Sequence, residues 1–139
     1  MTPPSTLALR LEPGTDLRDG LAAAFADRLR QGGPRAACIL SGIGSLTQAV
    51  LRYAAQDAGT QIDGPLELIA LAGTLSPDGV HLHASVADAQ GVVRGGHLMA
   101  GCTVRTTAEL VLAPLPDWQF ARRHDPATGY AELVVRPAD

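Results

Sequence analysis

Aromatic residues make up only 4% of this 139-residue chain, and cysteine occurs twice. The formal net charge is -3, with a pI near 5.7. Each shortage excludes something. With 46% hydrophobic residues and so few aromatics, the core has to come from Leu, Val, Ile and Ala. Cys38 and Cys102 lie far apart and form no Cys-x-x-Cys pair, which removes a zinc ribbon and a thioredoxin-type redox site. Both are expected as buried small apolar residues. An acidic balance argues against a large electrostatic footprint for DNA, which needs a strongly basic face, and leaves room only for local basic patches. No apolar run approaches the length of a membrane span. The first residues, Met1 to Thr6, lack the basic region and apolar stretch of a secretory signal, so a cytoplasmic protein without membrane association is expected.

What the chain does have is enough length for one domain with a sizeable core, and 15 glycines and 10 prolines that call for many turns. Residues 1–5 read as a flexible tail and 6–139 as a single domain. Leu7 to Leu11 is a short strand ended by Pro13-Gly14. Leu17, Leu21, Phe25 and Leu29 then recur every four residues with charges on the other face, predicting a helix from Leu17 to Arg30. Thr15 or Asp16 can cap its start, and Gly32-Gly33-Pro34 ends it.

Ala36 to Leu40 reads as a buried strand, stopped by a tight turn at Ser41-Gly-Ile-Gly-Ser45. That Gly-x-Gly lacks the third glycine and the following helix of a dinucleotide-binding fingerprint. Leu46 to Tyr53 alternates as a strand does. A longer strand, Leu66 to Leu75, is bounded by Gly64-Pro65 and by Ser76-Pro-Asp-Gly79. Thr103 to Leu112 is rich in β-branched residues and is assigned as strand rather than helix. The stretch from Pro114 to Tyr130 is full of turn formers, with Trp118, Phe120 and Tyr130 expected to pin it to the body, before a last strand at Ala131 to Val135. One helix and about seven strands make an α+β sheet protein.

Three of the four histidines, His81, His83 and His97, fall within one short stretch. Alternate strand residues share a face, so His81 and His83 point one way while Leu82, Ala84 and Val86 point the other. Between the two histidine segments, Asp88-Ala-Gln-Gly91 suits a type I turn closed by a left-handed glycine. Placing Asp88 opposite Val92 pairs Ala87 with Val93, Ser85 with Gly95 and His83 with His97. Gly95-Gly96 also suits a bulge, and a one-residue slip there would turn His97 to the opposite face.

These residues, in order, resemble a known family. Leu40-Ser-Gly-Ile-Gly-Ser45, Gly64-Pro-Leu-Glu-Leu-Ile-Ala-Leu-Ala-Gly73, His81-Leu-His83, Gly95-Gly-His-Leu98 and Thr107-Ala-Glu-Leu-Val111 resemble the PPC domain, also called domain of unknown function 296 or PD1-like domain. The tail, with Phe120, Arg122, Asp125 and Thr128-Gly-Tyr-Ala-Glu-Leu133, is similar to the end of bacterial members. The resemblance implies a curved, mainly antiparallel sheet with one long helix, assembled as a homotrimer. For prokaryotic members it implies a metal, with zinc expected, on the histidines matching His81, His83 and His97. Plant members bind DNA chiefly through AT-hooks, which this chain lacks, so DNA binding would rest on family analogy alone.

Neutral imidazole is a common zinc ligand, and three protein ligands leave a fourth position for water or a small molecule. The alternative is a set of polar strand residues on a wet face or subunit interface. A three-histidine zinc opens metal-assisted hydrolysis or hydration and would need an acid or base nearby. Glu67 and Glu109 are the carboxylates in apolar strand contexts, and Arg52 and Arg105 can pair with them or hold an anionic ligand. Each of these charges also reads as an ordinary solvent-facing or paired strand residue. His124 reads as a solvated turn residue. Ser41 and Ser45 lack a nucleophile elbow. Three functions follow: a trimeric metal-binding protein with an unidentified ligand, a regulatory module contacting DNA or a protein, or a metal-dependent hydrolase or lyase.

Overall fold

Leu17, Leu21 and Phe25 are buried along one side of helix α1 (Leu17–Arg30), the helix their spacing predicts. Asp16 is its cap. One carboxylate oxygen accepts the Asp19 N–H at 3.0 Å and the other accepts the Gly101 N–H at 2.6 Å, so the same side chain tethers the helix start to a distant turn. At the far end Gly32 takes φ +80°, its N–H donates to Leu29 and that of Gly33 to Arg28, closing the helix with a left-handed glycine motif.

The computed structural model describes residues 5–139, and most of the expected tail, 1–4, lies outside them. Six strands form one antiparallel sheet: β1 (Leu7–Leu11), β2 (Ala37–Arg52), β3 (Thr60–Ser76), β4 (Gly79–Ala87), β5 (Val93–Leu98) and β6 (Thr103–Pro114). Their order is β1-β6-β2-β3-β4-β5, and the end of β2 also pairs with β5, Leu51 with Leu98 and Arg52 with His97. The sheet thus curls until the ladder through β3, β4 and β5 returns to β2. Inside the curl, Leu46, Leu51, Leu75, Leu82, Leu98, Leu110 and Leu112 are fully buried with Leu17 and Leu21, the aliphatic core that the composition demands. Strands β7 (Trp118–Asp125) and β8 (Tyr130–Pro137) make a separate two-stranded ribbon. Among the described residues, no helix is long and apolar enough to cross a membrane.

Five expectations change. Ser41 to Ser45 is no turn, because β2 runs straight through it. Its glycines answer to neighbours instead. A Cβ at Gly42 would sit 2.8 Å from the Leu71 side chain, and one at Gly44 would strike the Thr107 carbonyl on β6. Register shifts in the β2–β6 ladder between Ile39 and Ser41 and between Gly44 and Leu46 bend the strand at these points. Similarly, Gly64-Pro65 does not bound β3, which begins at Thr60 and passes through that pair; a Cβ on Gly64 would meet the Thr47 carbonyl. The turn-rich tail holds an additional strand, β7, bringing the count to eight among the described residues. Trp118 and Tyr130 do not pin it, being 44% and 64% exposed, whereas Phe120 is half-buried. The ribbon is held by polar contacts: the Arg122 N–H donates to Asp78 at 2.9 Å, its guanidinium to Thr74 at 3.0 Å, and the Phe120 N–H to the Arg35 carbonyl at 3.3 Å. Finally, Cys102 is buried as expected whereas Cys38 is only half-buried.

Gly44→Ala should be costly, because the obstruction is backbone and cannot rotate away. We expect a loss of about 2 kcal/mol or more in urea unfolding, at the upper end of overpacking effects. Gly95→Ala, whose Cβ would stop 3.2 Å from the Ala84 carbonyl, should cost less. Equal losses would show that the close approach at Gly44 is not what requires glycine there.

Candidate metal centre

The site is built by one hairpin whose register is set at its turn. The Asp88 carboxylate accepts the N–H groups of Gln90 at 2.9 Å and Val92 at 3.0 Å, the Gly91 N–H donates to the Asp88 carbonyl at 2.9 Å, and Gly91 adopts φ +79°. Val92 thereby faces Asp88. The ladder then pairs Ala87 with Val93, Ser85 with Gly95 and His83 with His97, as the sequence predicts. No register shift interrupts it at Gly95-Gly96. A Cβ on Gly96 would lie 2.8 Å from the Arg52 carbonyl, so glycine there lets the end of β2 lie alongside β5.

With that register, Leu82, Ala84 and Val86 go into the core and the imidazoles go to the other face. The ring centroids of His81 and His83 are 5.0 Å apart, those of His81 and His97 5.0 Å, and those of His83 and His97 5.8 Å. One nitrogen from each ring can be chosen so that all three lie within 4.8 Å of one another, a group able to hold a metal ion. His81 and His97 are half-buried and His83 is exposed.

Burial first, and neighbouring charge after it, makes two of these rings harder to protonate. Burial, then the Arg52 guanidinium, the two neighbouring imidazoles and Arg18 pull the pKa of His97 down to about 4. Burial lowers His81 as well, with Arg122, His83 and Arg52 adding to it and Glu132 opposing. A neutral imidazole has the free lone pair that a metal needs.

The triad lies in an open cleft of about 690 Å³. Arg18 reaches it from the first turn of α1, Arg52 and Tyr53 from the end of β2, Asp78 from the β3–β4 turn, Arg122 from β7, and Tyr130 and Glu132 from β8. Of the four charges the sequence offers as partners of the site, Glu67, Glu109, Arg52 and Arg105, only Arg52 is there. Glu67 pairs with Ala87, at the opposite end of the β3–β4 ladder from His81 and its partner Thr74. Glu109 sits on β6 between Ile43 and Arg10, with β2 and β3 intervening before the histidine strand. Arg105 is exposed and does not line the cleft. His124 is exposed in β7, opposite Ala131. The carboxylates beside the triad are Asp78 and Glu132, which the sequence presents only as a turn residue and as part of the family-like tail, with no role at the site given to either.

A family model of the Plants and Prokaryotes Conserved (PCC) domain matches residues 2–116. A "Bifunctional protein GlmU" from Synechococcus sp. (strain JA-2-3B'a(2-13)) is 50% identical over 97% of this chain, which matches 21% of that protein; the chain spans about a fifth of the length of the curated relatives it matches. Among solved structures, a hypothetical protein from Salmonella cholerae-suis superposes with a TM-score of 0.87 at 46% identity, covering 95% of this chain and 93% of that one. A metal-containing protein from Archaeoglobus fulgidus superposes with a TM-score of 0.77 at 28% identity, covering 93% and 92%.

The lowered imidazoles give the metal-free protein a definite pH dependence. Between the ordinary value of 6.5 and about 4, the unfolded chain takes up a proton at His97 that the folded chain refuses. Stability is therefore full above 6.5 and declines as pH falls through that interval, with His81 acting in the same sense. Urea midpoints of chelator-treated protein should drop between neutral and mildly acidic pH, and His97→Gln should make the decline shallower. An unchanged decline in that variant would assign it to other groups.

Proposed function

The chain belongs to the Plants and Prokaryotes Conserved domain family, and we propose that it is a cytoplasmic, homotrimeric metal-binding protein with zinc on His81, His83 and His97. The observation that carries this reading is the convergence of three imidazoles from two paired strands, with their nitrogens within 4.8 Å. The donor set fits zinc: three nitrogen ligands, at least two of them with lowered proton affinity, facing an open cleft that leaves room for a further ligand. An ion there supplies Lewis-acid chemistry to whatever enters the cleft. That the similar Archaeoglobus fulgidus protein is described as metal-containing supports the same reading.

Self-association, which the trimer reading requires, is supported by exposed aliphatic side chains on the long central strands. Leu40 and Ile43 of β2 and Ile69 of β3 are 57%, 49% and 49% exposed, in strands whose alternate residues are already buried in the core. Apolar side chains grouped on a sheet face suit burial against another copy. Two free cysteines suit a reducing compartment. The net charge of -3 favours this reading over a DNA-contacting module.

Protein purified without a histidine tag should carry stoichiometric zinc by elemental analysis. His83→Ala should lose most of it, with affinity falling by more than the ~10–100-fold typical of losing a mere supporting partner. Metal far below stoichiometry in both proteins would overturn the zinc reading. Light scattering at micromolar concentration should report a trimer, and a monomer there would overturn the assembly.

A further inference from the structure

Arg18, Arg52 and Arg122 lie half-buried around the histidine triad, and among the described residues none of the three forms an ion pair. They come from α1, β2 and β7, segments with no local reason to supply the same charge to one place. Two carboxylates share the cleft, Asp78 and Glu132, and both already accept hydrogen bonds, from the Arg122 N–H at 2.9 Å and from the Thr128 hydroxyl at 3.1 Å. The cleft therefore has an excess of positive charge, and a divalent ion on the histidines would enlarge it. Like charges gathered in a partly desolvated cleft repel one another unless an anion joins them. Arg18 makes the point locally. It stands in the first turn of a helix, where the backbone dipole favours negative charge, and no carboxylate bridges to it.

We propose that this cleft binds a small organic oxyanion, a carboxylate or phosphate, gripped by Arg18, Arg52 and Arg122 with its anionic group directed at the metal position between His81, His83 and His97. The chemistry matches the donors. Guanidinium presents paired N–H groups that meet the two oxygens of a carboxylate or phosphate side by side, and it stays charged at any relevant pH. Arg122 is already oriented, its guanidinium held by the Thr74 hydroxyl at 3.0 Å. At about 690 Å³ the cleft exceeds the needs of a bare inorganic ion, and Tyr53 and Tyr130 give it flat apolar walls for an organic body. This assignment of ligand class builds on the proposed zinc site, but the arginines attract an oxyanion with or without the ion.

The test is isothermal calorimetry with malonate and with phenyl phosphate, on zinc-loaded and on chelator-treated protein, with uncharged malonamide as control and zinc content measured on the same samples. Saturable binding of at least one anion, and none of malonamide, is expected. Arg18→Ala and Arg52→Ala should each weaken it by ~10-fold or more, as the loss of a charge-assisted hydrogen bond predicts, with zinc content unchanged. Arg105→Ala, outside the cleft, should bind as the parent does. Binding of malonate alone assigns a carboxylate ligand, and of phenyl phosphate alone a phosphate. No saturable anion binding by either form, equal binding of malonamide, or an equal loss in Arg105→Ala overturns the proposal. Protein that takes up no zinc on loading yet binds an anion through Arg18 and Arg52 sustains the cradle and overturns the zinc reading; zinc uptake without anion binding by either form does the reverse.

Discussion

Strand β2 is hydrogen-bonded to three other strands along its 16 residues: β3 and β6 over most of its length, and β5 at its end. The rest of the structure depends on that multiple pairing. It curls the sheet around the leucine core, and it delivers Arg52 beside His97. Close approach of this kind needs backbones without side chains between them, which is where glycine is indispensable. Gly44 lies against the Thr107 carbonyl on β6, Gly64 against Thr47 on β2, and Gly96 against Arg52. A side chain at any of these would push apart two strands that the core and the cleft both require to be adjacent.

This explains which parts of the fold were legible in the sequence. Helix α1 and the β4–β5 hairpin were readable to the residue because their determinants are local. A four-residue apolar recurrence fixes the helix, and an Asp-to-Gly turn fixes a register that then runs unbroken to His83 and His97. The Gly-x-Gly of β2 misled because a glycine placed for a turn and a glycine placed for a neighbouring strand look alike in one dimension. Gly64-Pro65 misled for the same reason, its glycine serving contact with Thr47 rather than an end to the strand. In the tail, aromatic side chains suggested hydrophobic anchoring, whereas Arg122, Asp78 and Thr74 hold the ribbon by hydrogen bonds that no periodicity reveals.

The candidate site divides along the same line. The three histidines were visible because one hairpin carries them all. Of the surrounding charges only Arg52 was given a role beforehand, since Arg18 reaches the cleft from α1 and Arg122 and Glu132 from β7 and β8, about a hundred positions further along, a separation no short-range pattern spans. Glu67 and Glu109 drew attention by standing in apolar strands. Alternation of buried and exposed residues accounts for both without any reference to the metal, with Leu66 and Leu68 flanking one and Ala108 and Leu110 the other.

One electrostatic consequence ties the two halves of the site together. Added to burial, the larger cause, the field of Arg52 with Arg122 at His81 and with Arg18 at His97 disfavours a proton on these rings, which favours free lone pairs. The same field disfavours a metal cation, and more strongly, since the ion carries twice the charge of a proton. Coordination by three imidazoles works against that penalty, but the field persists as long as the cleft holds only cations and two hydrogen-bonded carboxylates. An oxyanion resolves it. It would offset the guanidiniums and the ion together, so that metal and anion would each stabilise the binding of the other, and by linkage the coupling would be equal in both directions. On the proposed reading the arginines thus help to make the histidines good ligands and, at the same time, would leave a metal alone an incomplete occupant of the cleft.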